Sequence, residues 1–399
     1  MKLDALPYHA TVAQHLKADE AALWAWFESD QFSKRYTEKV KLDLLKSTYR
    51  VTRDDQPGLY SQVDGIREQF GLDVPATIYQ HQGGSGDANA ALVFLPDELA
   101  IMLMGNVSDL LAETEMLALL GHEISHYRLY SLEGGQYFTA ARFLEWSTLQ
   151  PGCEASYLET DRLYRLHTEI FADMGALHVT GDRDAVISCL IKVATGLKKV
   201  TPSSYLEQTD EILKQYNQGS EGLTHPELFI RAKAIDLLTC DPPKLDEVAA
   251  LVRGPLDTKR LDLVGQTTLG ALTRTLVDEL LTHPFMRGEY TANLAERYFP
   301  RYAWPDAPAV TPSHAVLAQE IATMAKSCHD FLAYVLLDFA TVDPDGGEKA
   351  LALTLNVAER IGLLPVYEPI ARKELKRKKD DLARVKRAAA DLTDGVQHA

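Results

Sequence analysis

Two short patterns constrain this chain more than anything else in it: His122-Glu123-Ile124-Ser125-His126 and, about forty residues later, Glu169-x-x-x-Asp173. Each lies in a stretch whose apolar residues recur at helical intervals. Met116, Leu117, Leu119, Leu120, Ile124 and Leu129 do so between Glu113 and Tyr130, with Gly134-Gly135 as a stop. Leu163, Leu166, Ile170, Phe171, Met174 and Leu177 do so between Tyr157 and Thr180, ahead of Gly181-Asp182. Residues four apart share a helix face, so both imidazoles of the first pattern can reach one metal ion while Glu123 flanks it as general base. On the second helix Glu169 is offered as third ligand, and Asp173 as an outer carboxylate that orients a ligand imidazole through its other N–H. Two nitrogens and one oxygen leave the fourth position of a tetrahedron open. A catalytic zinc needs that opening, and a structural zinc avoids it.

A lone His-Glu-x-x-His arises by chance in ~2% of chains of this size and composition, so the downstream acidic pair is what sharpens the reading. Two blander readings stand beside it. In one, two surface helices carry unrelated histidines and acids; in the other, a metal site serves stability alone or belongs to a dead enzyme.

The two motifs, together with Thr224-His225-Pro226 and the later Arg231, resemble the peptidase family that contains the CAAX prenyl protease and the HtpX heat-shock peptidase. The likeness covers roughly Asp54 to Ile235. It includes Leu72 to Ala76, Asn89-Ala90, a strand-like Leu99 to Met104 leading into the first motif, and a following helix over Gly181 to Gly196. It implies a mostly helical gluzincin domain with a small sheet, zinc on His122, His126 and Glu169, and Glu123 as base. It also implies that His225 and Arg231 lie near the metal and hydrogen-bond substrate or transition state. An ordinary helix-start turn at His225-Pro226 and a salt-bridged Arg231 are the alternatives.

Well-known members of that family are membrane-embedded or exported, and here the chain departs from them. Its richest apolar stretch, Ala91 to Met104, contains Asp97 and Glu98 and is too short to span a bilayer. Met1 to Pro7 lacks the charged-then-apolar layout of a secretory signal. Cys153, Cys189, Cys240 and Cys328 form no framework and fit a reducing compartment. The expectation is a soluble, cytoplasmic protein without membrane insertion, for which a prenylated membrane substrate is out of place. A net charge of −16 argues against nucleic acid as a partner.

With 399 residues, 46% of them hydrophobic, the chain should divide into two domains, and proline and glycine cluster between Asp241-Pro242-Pro243 and Gly254-Pro255. The expected fold is mostly α with a small β-sheet (α+β). Residues 1–253 form the zinc peptidase domain, on which a helical segment 1–53 packs. Residues 254–370 form an all-α bundle, with helices over Leu261 to Thr282, His314 to Ser327, Phe331 to Ala340 and Gly347 to Gly362 and a Pro-bearing loop at Trp304 to Pro308. Within it Phe331 to Leu363 resembles the TerB-type helical domain of tellurite-resistance proteins. Its acidic turn, Asp343 to Glu348, lacks calcium-loop spacing, because the twelfth position is Thr354. Residues 371–399 read as a basic C-terminal helix and tail: between Arg372 and Arg387 nine basic side chains stand against three acidic ones, as a solvated helix or as a docking site for an acidic partner or for the chain's own acidic surface.

The expected activity is that of a zinc-dependent endopeptidase with one Zn2+ per chain and a peptide or protein substrate. Asn89, Ala90, Leu99 and Ile101 are the candidate substrate-binding residues. Leu99 to Met104 is read either as a sheet edge that accepts the peptide as an added strand or as a core strand. The competing reading is a latent zinc domain in a regulatory module. There the C-terminal bundle recruits a protein partner, and His225 could close the open metal position.

Overall fold

The computed structural model describes residues 3–30, 34–83, 88–216, 218–304 and 313–388. The Trp304 to Pro308 loop, beyond its first residue, and the tail after residue 388 lie outside them. The protein is mostly helical with one small mixed sheet, an α+β arrangement, and it divides into two compact units, Met1–Gly254 and Pro255–Ala399.

The first unit opens with α1 (Pro7–Asp19), α2 (Ala21–Asp30) and α3 (Lys34–Ser47). Strand β1 (Thr48–Val51), helix α4 (Pro57–Phe70), strands β2 (Ala76–His81), β3 (Asn89–Leu95) and β4 (Glu98–Met104), and the short α5 (Val107–Leu110) follow. Helices α6 (Glu113–Ser131), α7 (Gln136–Thr148), α8 (Ala155–Thr180), α9 (Arg183–Thr195), α10 (Pro202–Leu213), α11 (Leu228–Leu238) and α12 (Leu245–Arg253) complete it. Local chemistry sets several ends. Gly181 takes the left-handed conformation (φ 61°) after α8, and the Asp182 side chain accepts the Ala185 N–H at 3.0 Å to start α9. At the start of α6, Glu115 reaches back to the Ala112 N–H (2.7 Å) and forms a buried ion pair with Lys192 of α9 (2.7 Å), so one carboxylate caps a helix and ties two together. The N-terminal segment packs inward, and His9 of α1 meets the Thr168 hydroxyl of α8 at 3.1 Å.

The sheet has the order β1-β2-β4-β3, with β2 and β4 parallel and the other pairs antiparallel. This corrects one expectation. Strand β4, which carries Leu99 and Ile101, is interior, and both residues are fully buried; the outer strands are β1 and β3. The physical reason is that the sheet is covered on both faces. Val40 and Leu44 of α3 pack with Tyr79, Leu95 and Ala100 on one face, and α4 and α6 lie on the other. A strand covered on both sides is apolar at successive positions, and Leu99-Ala100-Ile101 is such a run.

The second unit contains α13 (Leu263–Leu281), α14 (Glu289–Tyr298), α15 (His314–Ala322), α16 (Lys326–Thr341), α17 (Gly347–Arg360), α18 (Leu364–Glu374) and α19 (Lys379–Ala388) around a shared core. Two corrections arise here. The single helix expected over His314 to Ser327 breaks after Ala322, and α16 starts at Lys326. The basic segment is not one solvated helix either. It breaks between Glu374 and Lys379, with Lys376 at φ 54°, and α19 then buries Leu382 and Val385 in the core. Its basic side chains pair within the unit, Lys386 with Glu359 and Arg377 with Glu348 (3.0 Å), so residues 371–388 belong to the bundle. The acidic turn closes on itself, with Asp343 accepting the Asp345 N–H at 2.9 Å.

Candidate metal centre

Helices α6 and α8 cross with almost no space between their backbones. A Cβ on Gly175 would sit 1.6 Å from the Ser125 Oγ and 2.6 Å from its Cβ; one on Gly121 would sit 2.4 Å from a Val179 methyl. Small residues at the crossing therefore set the distance at which Glu169 and Asp173 of α8 face His122 and His126 of α6.

There the side chains converge. His122 Nε2 lies 3.4 Å from Glu169 Oε2, His126 Nε2 lies 3.7 Å from Glu169 Oε1, and the donor atoms of all three residues fall within 4.8 Å of one another. Among the described residues this buried group is the one set of His, Cys, Asp and Glu side chains that could hold a metal ion. The fit is good in two respects. A tetrahedron with arms of ~2.0–2.1 Å has edges of roughly 3.3–3.4 Å, which the 3.4 Å between His122 Nε2 and Glu169 Oε2 matches. Glu169 Oε2 is buried and accepts no hydrogen bond in proper geometry, an orphaned acceptor that a cation would satisfy.

Asp173, fully buried, meets His122 Nδ1 through Oδ1 at 3.0 Å, which turns Nε2 toward Glu169. Arg231 of α11 grips the same carboxylate with both ends of its fork, Nε to Oδ2 at 2.9 Å and Nη2 to Oδ1 at 2.7 Å. Its remaining nitrogen stands 3.8 Å from Glu169 Oε2. Arg231 is thus a salt-bridged residue that fixes Asp173. His225 stands at the mouth, 60% exposed, with Nε2 3.5 Å from Glu169 Oε1.

The electrostatics suit a cation. Burial opposes protonation of His122, but the carboxylates of Asp173 and Glu169 beside it outweigh burial and push its pKa up to about 10. Burial dominates at His126, lowering it to about 4 despite Glu169 nearby. Burial also opposes ionisation of Glu169 and Asp173, yet His122 beside the first and Arg231 beside the second hold both below the usual carboxylate range. Glu123, buried and without a cationic partner of that strength, is raised.

Glu123 reaches the sheet, where its Oε2 accepts the Leu92 N–H at 2.8 Å. The Leu92 amide therefore points away from β4, out of the free edge of β3. Asn89, Ala90, Leu92 and Phe94 of that edge line a cavity of about 470 Å³ together with His122, Glu123, His126, Glu169, His225 and Arg231. Leu99 and Ile101 do not reach it, which removes them as substrate contacts. Asn89 turns its side chain back to the Ala90 N–H at 2.9 Å. The far wall is apolar and comes from α9 through Val186, Cys189, Leu190 and Val193. A second cavity of about 400 Å³ adjoins the first and shares His126, Tyr130, Glu169 and His225 with it. Sequence reasoning missed Leu92, whose contribution is a backbone amide and leaves no residue signature. It also missed Tyr130, although that residue stands one further turn beyond His126.

No protein-family model, no curated protein and no solved structure matches the chain. The resemblance to the CAAX prenyl protease and HtpX family rests on the residues quoted above. Among the described residues, no helix is long and apolar enough to cross a membrane.

Proposed function

We propose that the protein is a zinc-dependent endopeptidase with His122, His126 and Glu169 as ligands and Glu123 as general base. The observation that carries this reading is the convergence of His122, His126 and Glu169 beside a carboxylate that shares the helix of the two histidines and opens into a cavity under the outer strand β3. Zinc, when bound, supplies Lewis acidity that polarises a carbonyl and acidifies water.

The chain's own groups do the rest. Glu123 takes a proton from the attacking water and passes it to the leaving amine, and its raised pKa suits a carboxylate that must hold a proton between the two transfers. The Leu92 amide fixes one oxygen of that carboxylate and leaves the other for water. Strand β3 offers its edge to an extended peptide, whose backbone pairing gives affinity with little demand on sequence. Space on both sides of the metal group favours cleavage within a chain over removal of a terminal residue. Arg231 acts through Asp173 to hold His122, and His225 is placed to meet a substrate carbonyl.

A second reading has one specific observation behind it. The 3.5 Å between His225 and Glu169 falls among the ligand separations, so His225 could become a fourth ligand and close the site. Replacing His225 by Ala separates the two: a donor lost slows cleavage, whereas a latch lost speeds it. The peptidase reading itself is tested by Glu123→Gln, which should keep the wild-type metal content and lose chelator-sensitive cleavage of an unfolded protein. Retained cleavage at full metal content would refute the role of Glu123.

A further inference from the structure

The mouth of the site holds one donor that the mechanism above leaves unused. Tyr130 follows His126 by one turn of α6, and helical side chains lean toward the N-terminus, so its side chain leans toward the turn that carries His126. It lines both cavities, at the place where they meet beside Glu169 and His225. Its ring is held on two sides, edge-on to Phe94 of β3 (5.6 Å between centroids, 88°) and tilted against Phe138 of α7 (5.4 Å). Its hydroxyl makes no hydrogen bond to any described residue.

The other donors nearby are committed or wet. Arg231 spends its fork on Asp173, the Leu92 amide is bound to Glu123, and His225 is 60% exposed. A donor whose ring is fixed by packing stabilises developing negative charge without reorganisation when the charge appears. Burial also pushes the phenol up to about 12, so the proton it would share stays on it throughout the neutral range.

We propose that Tyr130 is a further catalytic residue, whose phenolic O–H donates a hydrogen bond to the scissile carbonyl oxygen as that oxygen gains negative charge. The proton remains on the phenol, and no bond to it forms or breaks. The proposal rests on the peptidase reading and deepens it.

Tyr130→Phe removes the donor and keeps the ring between Phe94 and Phe138. The expected result is a fall in kcat on the order of 10²-fold with KM nearly unchanged. A phosphinic peptide, whose tetrahedral anion mimics the charged oxygen, should lose calorimetric affinity by a similar factor. A cleavage-product peptide should bind as before, and metal content and unfolding midpoint should match the wild type. Unchanged kcat and unchanged phosphinic affinity would overturn the role of Tyr130 while wild-type cleavage keeps the peptidase reading intact. Equal losses for product and phosphinic peptide, or loss of metal, would overturn it in favour of a packing role. A wild-type protein that neither cleaves nor binds the phosphinic peptide would overturn the peptidase reading and this proposal with it.

Discussion

Replacing Gly175 by Ala should damage the protein out of proportion to the single methyl group added. In an ordinary helix interior that change is favourable by about 1 kcal/mol, because alanine lowers the backbone entropy lost on folding. Here the new Cβ would lie 1.6 Å from the Ser125 Oγ and 2.6 Å from its Cβ. The hydroxyl can rotate away at the cost of its bond to the Gly121 carbonyl (2.6 Å), but the Ser125 Cβ cannot. What remains is about 0.8 Å short of the 3.4 Å at which ordinary contact begins, and only separation of α6 from α8 relieves it. Overpacking of this kind costs about 1–3 kcal/mol, enough to cancel the propensity gain and leave a net loss. The larger effect falls on the metal group, because Ser125 adjoins His126 and such sites tolerate displacements of only ~0.5 Å. Metal affinity, measured by competition with a chromophoric chelator, should fall at least ~10-fold. Urea unfolding gives the stability change. The paired substitution Ser125→Gly with Gly175→Ala moves the small residue to the other helix and should restore most of the affinity. A Gly175→Ala protein that is stabilised by ~1 kcal/mol and binds metal as the wild type does would refute the account of the crossing.

Three further predictions follow from the same structure. Arg231→Lys keeps the charge but loses the two-pronged grip on Asp173, and should weaken metal binding by about 10–100-fold in chelator competition. His9 is buried and its pKa is held well below 6.5, first by desolvation and then by His167. The unfolded chain therefore takes up this proton more readily: the contribution is full above pH 6.5 and falls by up to about 1.4 kcal/mol per unit as the pH drops below it. Urea titrations at pH 7.5 and 5.5 should show a smaller loss in a His9→Gln protein than in the wild type. Leu382→Ala, in a helix that composition alone would place in solvent, should destabilise the second unit by about 2–5 kcal/mol, since the side chain is 1% exposed; a neutral result in thermal unfolding would return α19 to the surface.

Much of the arrangement was legible because it depends on spacing within single helices. Four-residue intervals place His122 with His126 and Glu169 with Asp173, and glycine at position 181 ends α8, where the periodicity stops. What was not legible depends on contacts between elements. The order of the strands cannot be read from an apolar run, so β4 was as good a candidate for the edge as β3 until the covering helices were seen. The grip of Arg231 on Asp173 joins residues 58 apart in sequence, and the Leu92 amide carries no side-chain signal. Helix α18 was hidden by Pro365 and by Pro369 inside it, and α19 by a charge pattern that outweighed the apolar pair Leu382 and Val385. Tyr130 had a signal available, since it continues the face of His122 and His126 by one more turn.

The central claim is that three buried side chains hold a catalytic metal. Elemental analysis of the wild type and of Glu169→Ala, with casein cleavage followed in the presence and absence of a chelator, tests it most directly. The account predicts close to one zinc per wild-type chain, its loss in the variant, and cleavage that the chelator abolishes. A wild-type protein without zinc, or one whose cleavage survives both the chelator and the loss of Glu169, would contradict it.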